Sequence, residues 1–186
     1  MDSLTSFLKP EELDAWAVNY GEEWSVKQEP RVISVVVFDI DAFSRVNNAT
    51  GYQSGDEYLS KIAHVISNEV LAYSGKGYRT GGEEFTIIIP NAILDEARKF
   101  ALSVQKKIAH LSLPMGAASS GLSDNHEIFL TISAAITVIH SPFYGNLLSV
   151  IKNTHFAIKA RKYLLSKFNK NMAQVLVCMV LKSHEG

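Results

Sequence analysis

A continuous run of β-branched and aromatic residues, Val32–Phe38 (VISVVVF), is the feature that most limits what this chain can fold into. A strand that is apolar at every position, rather than at alternate positions, is typical of a sheet covered on both faces. Phe85–Ile89 (FTIII) repeats the pattern, and Pro90, which cannot donate a ladder hydrogen bond, follows it. The two runs therefore predict strands in the centre of a sheet that other elements cover.

Segments with apolar residues at three- and four-residue spacing alternate with the strand-like runs, which indicates amphipathic helices between the strands. We found no internal repeat and no linker, and 186 residues suit one domain with a substantial core. We therefore predict a single α/β sandwich with a central sheet over residues 1–186. The expected helices are 2–20, 57–71, 94–111 and 147–168, and the expected strands are 32–38, 85–89, 128–139 and 175–181.

The charge balance argues against a general nucleic-acid or membrane surface, since 18 basic and 19 acidic residues leave a net charge of −1. No stretch approaches the roughly 20 apolar residues that span a bilayer, and the sequence shows no signal-peptide pattern. The lone cysteine, Cys178, cannot form an internal disulfide, which is typical of a reduced compartment. We therefore expect a cytoplasmic protein with no nucleic-acid partner and no direct membrane contact from this chain.

Acidic residues stand at the ends of both apolar strands. Asp39 and Asp41 follow the first strand, and Glu83 and Glu84 directly precede the second. If the two strands pair antiparallel, Asp39 lies beside Glu83 and Glu84, and three carboxylates at one place repel each other unless a cation is present. Hard oxygen ligands favour Mg²⁺ or Mn²⁺, and Mg²⁺ usually completes its shell with water and substrate phosphates.

A glycine pair, Gly81 and Gly82, precedes the two glutamates, and without side chains it would let a phosphate or a base approach the backbone closely. The alternative is a tight hairpin with solvated acids on its rim, which a lone GGEE sequence would favour. A second acidic cluster at the end of a matching strand favours the metal site. The pattern thus predicts a nucleotidyl-transfer palm, in which two ions can activate an attacking hydroxyl and neutralise a pyrophosphate leaving group.

The motifs around these residues resemble those of the GGDEF family, the diguanylate cyclases. Gly81–Phe85 (GGEEF) is similar to the family's signature loop, with Arg79 two places before the glycines. Asp2–Thr5 (DSLT) resembles the opening DxLT, and Asp39–Leu59 resembles the DxDxFKxxND and GHxxGDxxL stretch. Leu130–Ile136 (LTISAAI) resembles the TxSxG strand, so the resemblance covers nearly the whole chain. It implies an α+β, palm-like nucleotidyl-cyclase domain whose central sheet is mostly antiparallel.

The resemblance also implies a reaction. Two GTP molecules would be joined into cyclic di-GMP with release of two pyrophosphates. Because each domain would hold one GTP, a homodimer is needed for catalysis, and a sensory or dimerising segment is expected outside this chain. Asp39, Glu83 and Glu84 would be the catalytic acids, and together with the backbone carbonyl of Ile40 they would hold Mg²⁺ or Mn²⁺.

Further roles follow from the resemblance position by position. Asn47 and Asp56 would read the guanine edge, a task to which an amide and a carboxylate are chemically suited. Asp41 is expected to be structural rather than a metal ligand, and Arg79 could simply anchor the glycine loop. The other substrate contacts that the resemblance implies are Phe43, Gly81, Gly82, Lys162 and Lys170.

Several positions depart from the family pattern. Ser44 stands where a phosphate-contacting lysine is usual, and a hydroxyl cannot supply that charge. His155 stands where the last helix usually has an aspartate, Tyr52 replaces a histidine and Ala135 a glycine. The window Ala72–Gly75, where the family carries the RxxD of its inhibitory product site, holds neither charge, so we predict no feedback inhibition of that type.

Three functions stay open on the sequence. The first is an active diguanylate cyclase, which the intact metal carboxylates and guanine-reading pair favour. The second is a degenerate domain that binds GTP as a regulatory or interaction module without turnover, which Ser44 and the altered last helix favour. The third is a related palm-type nucleotide cyclase with a different product, against which Asp56 argues because that position reads guanine.

Overall fold

The computed structural model describes residues 1–26, 31–114, 127–141, 143, 145–167 and 176–181, and these form five helices and seven strands. The helices are α1 (Pro10–Val26), α2 (Phe43–Thr50), α3 (Tyr52–Ala72), α4 (Leu94–Ala109) and α5 (Leu147–Lys167). The strands are β1 (Val32–Ile40), β2 (Lys76–Arg79), β3 (Glu84–Pro90), β4 (Ser112–Pro114), β5 (Glu127–Phe129), β6 (Ile132–His140) and β7 (Leu176–Leu181).

The main sheet has five strands in the order β2-β3-β1-β6-β7. All neighbouring strands in it pair antiparallel except β6 and β7, which run parallel. The mostly antiparallel sheet and the α+β fold expected from the sequence are therefore confirmed. The short strands β4 and β5 form a separate antiparallel pair.

Helices cover both faces of β1, which explains why its sequence is apolar at every position. Val36 and Phe38 belong to the core that the sheet forms with α3 and α4, while Val35 and Val37 belong to the core formed with α1 and α5. The buried rings of Phe38 and Phe100 have centroids 5.8 Å apart, which ties β1 to α4. The C-terminal end of β1 is thereby packed between two helical layers.

The N-terminal segment differs from the helix predicted over residues 2–20, because α1 begins only at Pro10. Asp2 accepts hydrogen bonds from the backbone nitrogen and the hydroxyl of Thr5, at 2.9 and 2.6 Å, and this local turn competes with a helix. Leu8 then forms a parallel bridge with Tyr78 in β2. Proline at the first helical position is favourable because its missing N–H would have no partner there.

The polar stretch between β1 and the predicted helix 57–71, where no helix was predicted, is also helical. It is formed by α2 and by the first turn of α3, which are separated by Gly51 at φ +85°. Asparagine and glycine lower helix propensity, but Val46, Tyr58 and Leu59 bury their side chains in the core and offset this cost.

The other predicted elements are present with small differences. The predicted strand 128–139 is divided into β5 and β6, and the predicted ends of the last helix and last strand, residues 168 and 175, lie outside the described residues. Most of the loop expected at 114–125 also lies outside them, as does the side chain of Cys178 in β7. None of the described helices is long and apolar enough to cross a membrane.

Candidate active site

The register of β1 and β3 brings the two acidic motifs together where β1 ends and β3 begins. We call this end of the two strands, with Asp39, Glu83 and Glu84, the acidic edge. Asp39 and Glu84 are direct partners across the antiparallel pair. The backbone nitrogen of Ile40 then donates a hydrogen bond to the carbonyl oxygen of Glu83 at 3.2 Å. The antiparallel pairing on which the argument from the sequence depended is therefore present, and Asp39, Glu83 and Glu84 lie at adjacent strand ends.

Asp39 is paired with a cation from α5. The ammonium group of Lys162 contacts the Asp39 carboxylate, lies 3.2 Å from the Asp39 carbonyl oxygen and lies 2.7 Å from Oδ1 of Asp41. Burial nevertheless raises the pKa of Asp39, and the neighbouring charges of Glu84 and Asp41 raise it further, against the opposing effect of Lys162. Lys162 thus contacts two carboxylates, and its single positive charge does not balance both of them.

Glu83 experiences the same excess of negative charge. Burial raises the pKa of its carboxyl above the ordinary value, and the charges of Asp39 and Glu84 raise it further. Lys162 and Lys159 act in the opposite direction but do not cancel these effects. The edge is therefore an electrostatic environment that favours protons or cations.

Glu84 is held by two groups of α5. Nδ1 of His155 lies 3.3 Å from its Oε2, and Nζ of Lys159 lies 2.6 Å from its Oε1. The hydrogen bond from His155, together with Lys159, lowers the pKa of Glu84 to about 2 despite its partial burial. Glu84 is therefore ionised over the whole neutral range, in contrast to the raised pKa values beside it.

The glycine loop is shaped by Glu84 and anchored by Arg79. A Cβ at Gly81 would lie 3.1 Å from Oε2 of Glu84, whereas no described atom lies within 4 Å of a Cβ built at Gly82. Arg79 donates to both carboxylate oxygens of Asp2, at 3.0 and 3.1 Å, and to the carbonyl of Gly82 at 2.8 Å. Gly81 thus makes room for a carboxylate, and Gly82 faces open space.

Asp41 fixes the end of β1 to the start of β6. The hydroxyls of Thr131 and Ser133 each donate to its carboxylate at 2.7 Å, and its backbone nitrogen donates to the carbonyl of Thr131 at 2.9 Å. Its side chain is buried. This is a structural role of the kind expected for Asp41, with one partner just before β6 and one inside it.

The two residues predicted to read a base lie on neighbouring helices, Asn47 on α2 and Asp56 in the first turn of α3. In the part of the chain that the structure describes, Oδ1 of Asn47 is a buried oxygen without a hydrogen-bond partner. A Cβ at Gly55 would lie 1.8 Å from that oxygen, so the glycine is what leaves room for the Asn47 side chain. Asp56 is exposed.

Other predicted contacts have different surroundings. The side chain of Phe43 is buried in the core, so only its backbone could meet a ligand, and its contact with substrate stays a prediction. Ser44 is exposed in the first turn of α2, next to the N-cap residue Ala42 at φ 55°, and no described side chain caps that helix. Lys170 lies outside the described residues.

The carboxylates of the acidic edge are not arranged as a complete set of ligands for a metal ion. Among the described residues, no three histidine, cysteine, aspartate or glutamate side chains are arranged so that they could hold one metal ion. Asp39 and Glu84 are instead paired with Lys162 and Lys159. Asp39, Glu83 and Glu84 thus lie at adjacent strand ends with cations of α5 beside two of them, and their binding of one metal ion stays a prediction.

Comparison with known proteins gives the family. Residues 13–166 match the family model described as diguanylate cyclase, GGDEF domain. The chain belongs to the GGDEF family. It is 35% identical over 77 residues to the probable diguanylate cyclase DgcI of Escherichia coli, a match over 41% of this chain and 16% of that protein. It is 28% identical over 129 residues to the diguanylate cyclase DosC of E. coli, over 69% of this chain and 26% of that protein.

This GGDEF chain matches about a quarter or less of the length of these curated relatives. Solved structures agree in fold at low identity. The GGDEF domain and coiled coil of DgcB from Caulobacter crescentus, in complex with c-di-GMP, has a TM-score of 0.74 at 20% identity, over 96% of this chain and 84% of that chain. The active GGEEF domain of a diguanylate cyclase from Vibrio cholerae has a TM-score of 0.66 at 18% identity, over 95% and 98%.

Proposed function

We propose that this GGDEF domain is a diguanylate cyclase that condenses two GTP into cyclic di-GMP and releases two pyrophosphates. The observation that carries the proposal is the pairing of Asp39 with Glu84 across β1 and β3, with Glu83 at the next position. Membership of a family described by this activity supports the proposal. Each domain would hold one GTP, so the reaction would take place between two domains that face each other in a homodimer.

The chemistry of the donor set fits a hard divalent cation. Carboxylates and a backbone carbonyl are the ligands that Mg²⁺ and Mn²⁺ prefer, and the raised pKa values of Asp39 and Glu83 are those of a cluster short of positive charge. Asp39, Glu83, Glu84 and the carbonyl of Ile40 would hold the ion. When bound, it would supply Lewis acidity toward the attacking hydroxyl and charge neutralisation at the phosphates.

The buried Asn47 oxygen supports guanine as the base. An acceptor that is removed from water and has no partner costs free energy, and a ligand N–H group would remove that cost. Guanine presents two neighbouring N–H donors on one edge, suited to Asn47 together with the Asp56 carboxylate. Adenine carries an acceptor at the corresponding ring nitrogen, which a carboxylate would repel.

The phosphates would be bound near the start of α2 and by α5. The N-terminus of α2 lies two residues after Asp41, and its first N–H groups, which no described side chain caps, suit an anion. Lys162 would supply the positive charge, with Lys170 as a second cation, and Gly82 would leave space for the nucleotide. The α2 N-terminus would thus provide part of the attraction that a lysine in place of Ser44 would give.

A degenerate, GTP-binding domain is the second candidate, and the uncharged Ser44 favours it. In that case the nucleotide would bind, but its triphosphate would be held too loosely for in-line attack. The two candidates share the guanine site and differ at the phosphates. Turnover, rather than affinity, therefore separates them.

The test is to incubate the chain with GTP and Mg²⁺ or Mn²⁺ and to identify the products by mass, with ATP in a parallel reaction. We expect cyclic di-GMP from the wild type and none from Glu83→Gln. Glu57→Gln, at an exposed position of α3, is the matched control and should keep the activity. GTP bound without product would support the degenerate domain, and an adenine-containing product would contradict the guanine assignment.

A further inference from the structure

We propose that His155 is a positioning residue for Glu84, which it orients through Nδ1 while Thr86 fixes the ring through Nε2. The inference rests on the proposed function, because it concerns the orientation of a carboxylate to which that function assigns a metal ion.

The contacts form a continuous chain from Thr80, which follows β2, through β3 to α5. The hydroxyls of Thr80 and Thr86 are 3.0 Å apart, and Thr86 Oγ1 lies 2.8 Å from Nε2 of His155. Nδ1 of the same ring lies 3.3 Å from Oε2 of Glu84. Glu84 and Thr86 are two residues apart on β3 and so project from the same face, where one imidazole can span both.

Contacts at both ring nitrogens hold the imidazole of His155 in place. An ionised carboxylate can only accept hydrogen bonds, so Nδ1 must be the donor in its contact with Glu84. The hydroxyl of Thr86 can donate to Nε2 or accept from it, because Thr80 is available as its other partner. Both ring nitrogens are therefore engaged, and the ring cannot rotate without losing both contacts.

His155 and Lys159 contact different oxygens of the Glu84 carboxylate. Lys159 contacts Oε1 with a flexible chain whose surface is 58% exposed, whereas the rigid ring of His155 is 17% exposed and contacts Oε2. Lys159 therefore supplies positive charge to Glu84, and His155 fixes the orientation of the Glu84 carboxylate. Each carboxylate oxygen keeps a further lone pair for a cation, as is usual for metal-binding carboxylates whose orientation is set by hydrogen bonds.

The alternative is that His155 only packs between α5 and the sheet and does not orient Glu84. The adjacent Thr154 has such a role, since it bonds to Thr137 of β6 and to the carbonyl of Val150 without touching the acidic edge. Thr154→Val therefore provides a matched control that removes a buried polar contact from the same helix.

The experiment is a titration of the full chain with Mn²⁺, with and without GTP, followed by the electron paramagnetic resonance signal of the free ion. An asparagine amide can occupy the place of Nδ1, whereas a glutamine amide reaches the place of Nε2. We expect His155→Ala and His155→Gln to weaken Mn²⁺ binding by about tenfold or more. Thr154→Val should stay close to the wild type. His155→Asn keeps a donor at the place of Nδ1 but loses the contact with Thr86, so it should bind Mn²⁺ more weakly than the wild type and more tightly than His155→Ala.

Two results would overturn the inference: Mn²⁺ affinity that is unchanged in His155→Ala, or glutamine that restores affinity as well as asparagine. Thr86→Val removes the partner of Nε2 at nearly constant volume and should also weaken Mn²⁺ binding. This variant tests the inference even if His155→Ala does not fold. Absence of saturable Mn²⁺ binding by the wild type would count against the inference as well. A wild type that binds Mn²⁺ but forms no cyclic di-GMP would contradict the proposed function alone.

Discussion

Neighbouring carboxylates at the sheet edge have opposite pKa shifts, and the cause lies in what faces each one. Glu84 has two donors from α5, and its pKa falls to about 2. Asp39 shares Lys162 with Asp41, Glu83 has no partner of comparable proximity among the contacts described, and burial raises the pKa of Asp39 and Glu83. The site thus contains one firmly ionised acid next to two that gain most from a metal ion.

Glu84 makes stability depend on pH in the absence of metal. Because its folded pKa of about 2 lies below the ordinary 4.5, its contribution is complete above the ordinary value and is lost as the pH falls toward the folded value. We expect Glu84→Gln to lower the free energy of unfolding at neutral pH by up to about 3 kcal/mol.

Urea unfolding in the presence of EDTA measures this effect. The difference between the wild type and Glu84→Gln should shrink as the pH is lowered from about 5 to about 3, since the wild-type carboxylate then begins to lose its advantage. Glu57→Gln should show a small, nearly pH-independent difference because its side chain is exposed. A Glu84→Gln difference that does not change with pH would contradict the ion-pair account.

At the scale of elements, the joint between α2 and α3 forms the candidate base site. Gly55 is buried against Asn47, and an added methyl group would collide with the side-chain amide. We expect Gly55→Ala to weaken GTP binding by about tenfold or more, because a displaced Asn47 leaves guanine donors unpaired. Calorimetry with GTP is the measurement.

Gly21→Ala is the matched control for Gly55→Ala, since a Cβ at Gly21 would approach Leu147 only to 4.0 Å within a helix. That change should leave GTP affinity intact and stabilise α1 slightly. If Gly55→Ala bound GTP like the wild type, Asn47 would not be the base-reading residue.

The helix α5 presents a basic row to the acidic edge, and Lys162 occupies oxygen atoms that a metal ion would need. Its ammonium group contacts Asp39 and Asp41. We expect Lys162→Gln to bind Mn²⁺ alone about tenfold more tightly than the wild type, because a competing charge is removed, and to bind GTP more weakly.

Lys99→Gln, on the exposed surface of α4, is the control and should change neither affinity. Weaker binding of Mn²⁺ by Lys162→Gln would contradict competition and would indicate that Lys162 only orients Asp39. Titration of Mn²⁺ without nucleotide separates the two results.

The elements also show where sequence reasoning succeeds. The apolar runs of β1 and β3 carry their own signal, so their pairing and the meeting of Asp39 with Glu84 could be predicted. The helix α2 could not, because Asn47 and Asn48 resemble a turn and its helical form depends on side chains that pack against a distant core. The contact of Thr86 with His155 joins residues 69 positions apart, and local patterns contain no sign of it.

For the whole molecule, stability comes from two helical layers on one sheet. Phe100 is fully buried between Phe38 and Tyr73, with ring centroids 5.8 and 5.2 Å away. We expect Phe100→Ala to lower the free energy of unfolding by about 3–5 kcal/mol. Leu102→Ala, an exposed position of the same helix, should cost far less, and equal costs in chemical denaturation would contradict this assignment of the core.

The most direct test of the central claim combines turnover with an imposed dimer. The chain would be fused at its N-terminus to a parallel coiled coil, so that two domains meet without an upstream signal, and pyrophosphate and cyclic di-GMP would be counted during incubation with GTP and Mg²⁺. We expect one cyclic di-GMP for every two pyrophosphates, and neither product from the Glu83→Gln fusion. A fused dimer that binds GTP and releases no pyrophosphate would contradict the claim that this acidic edge catalyses nucleotidyl transfer.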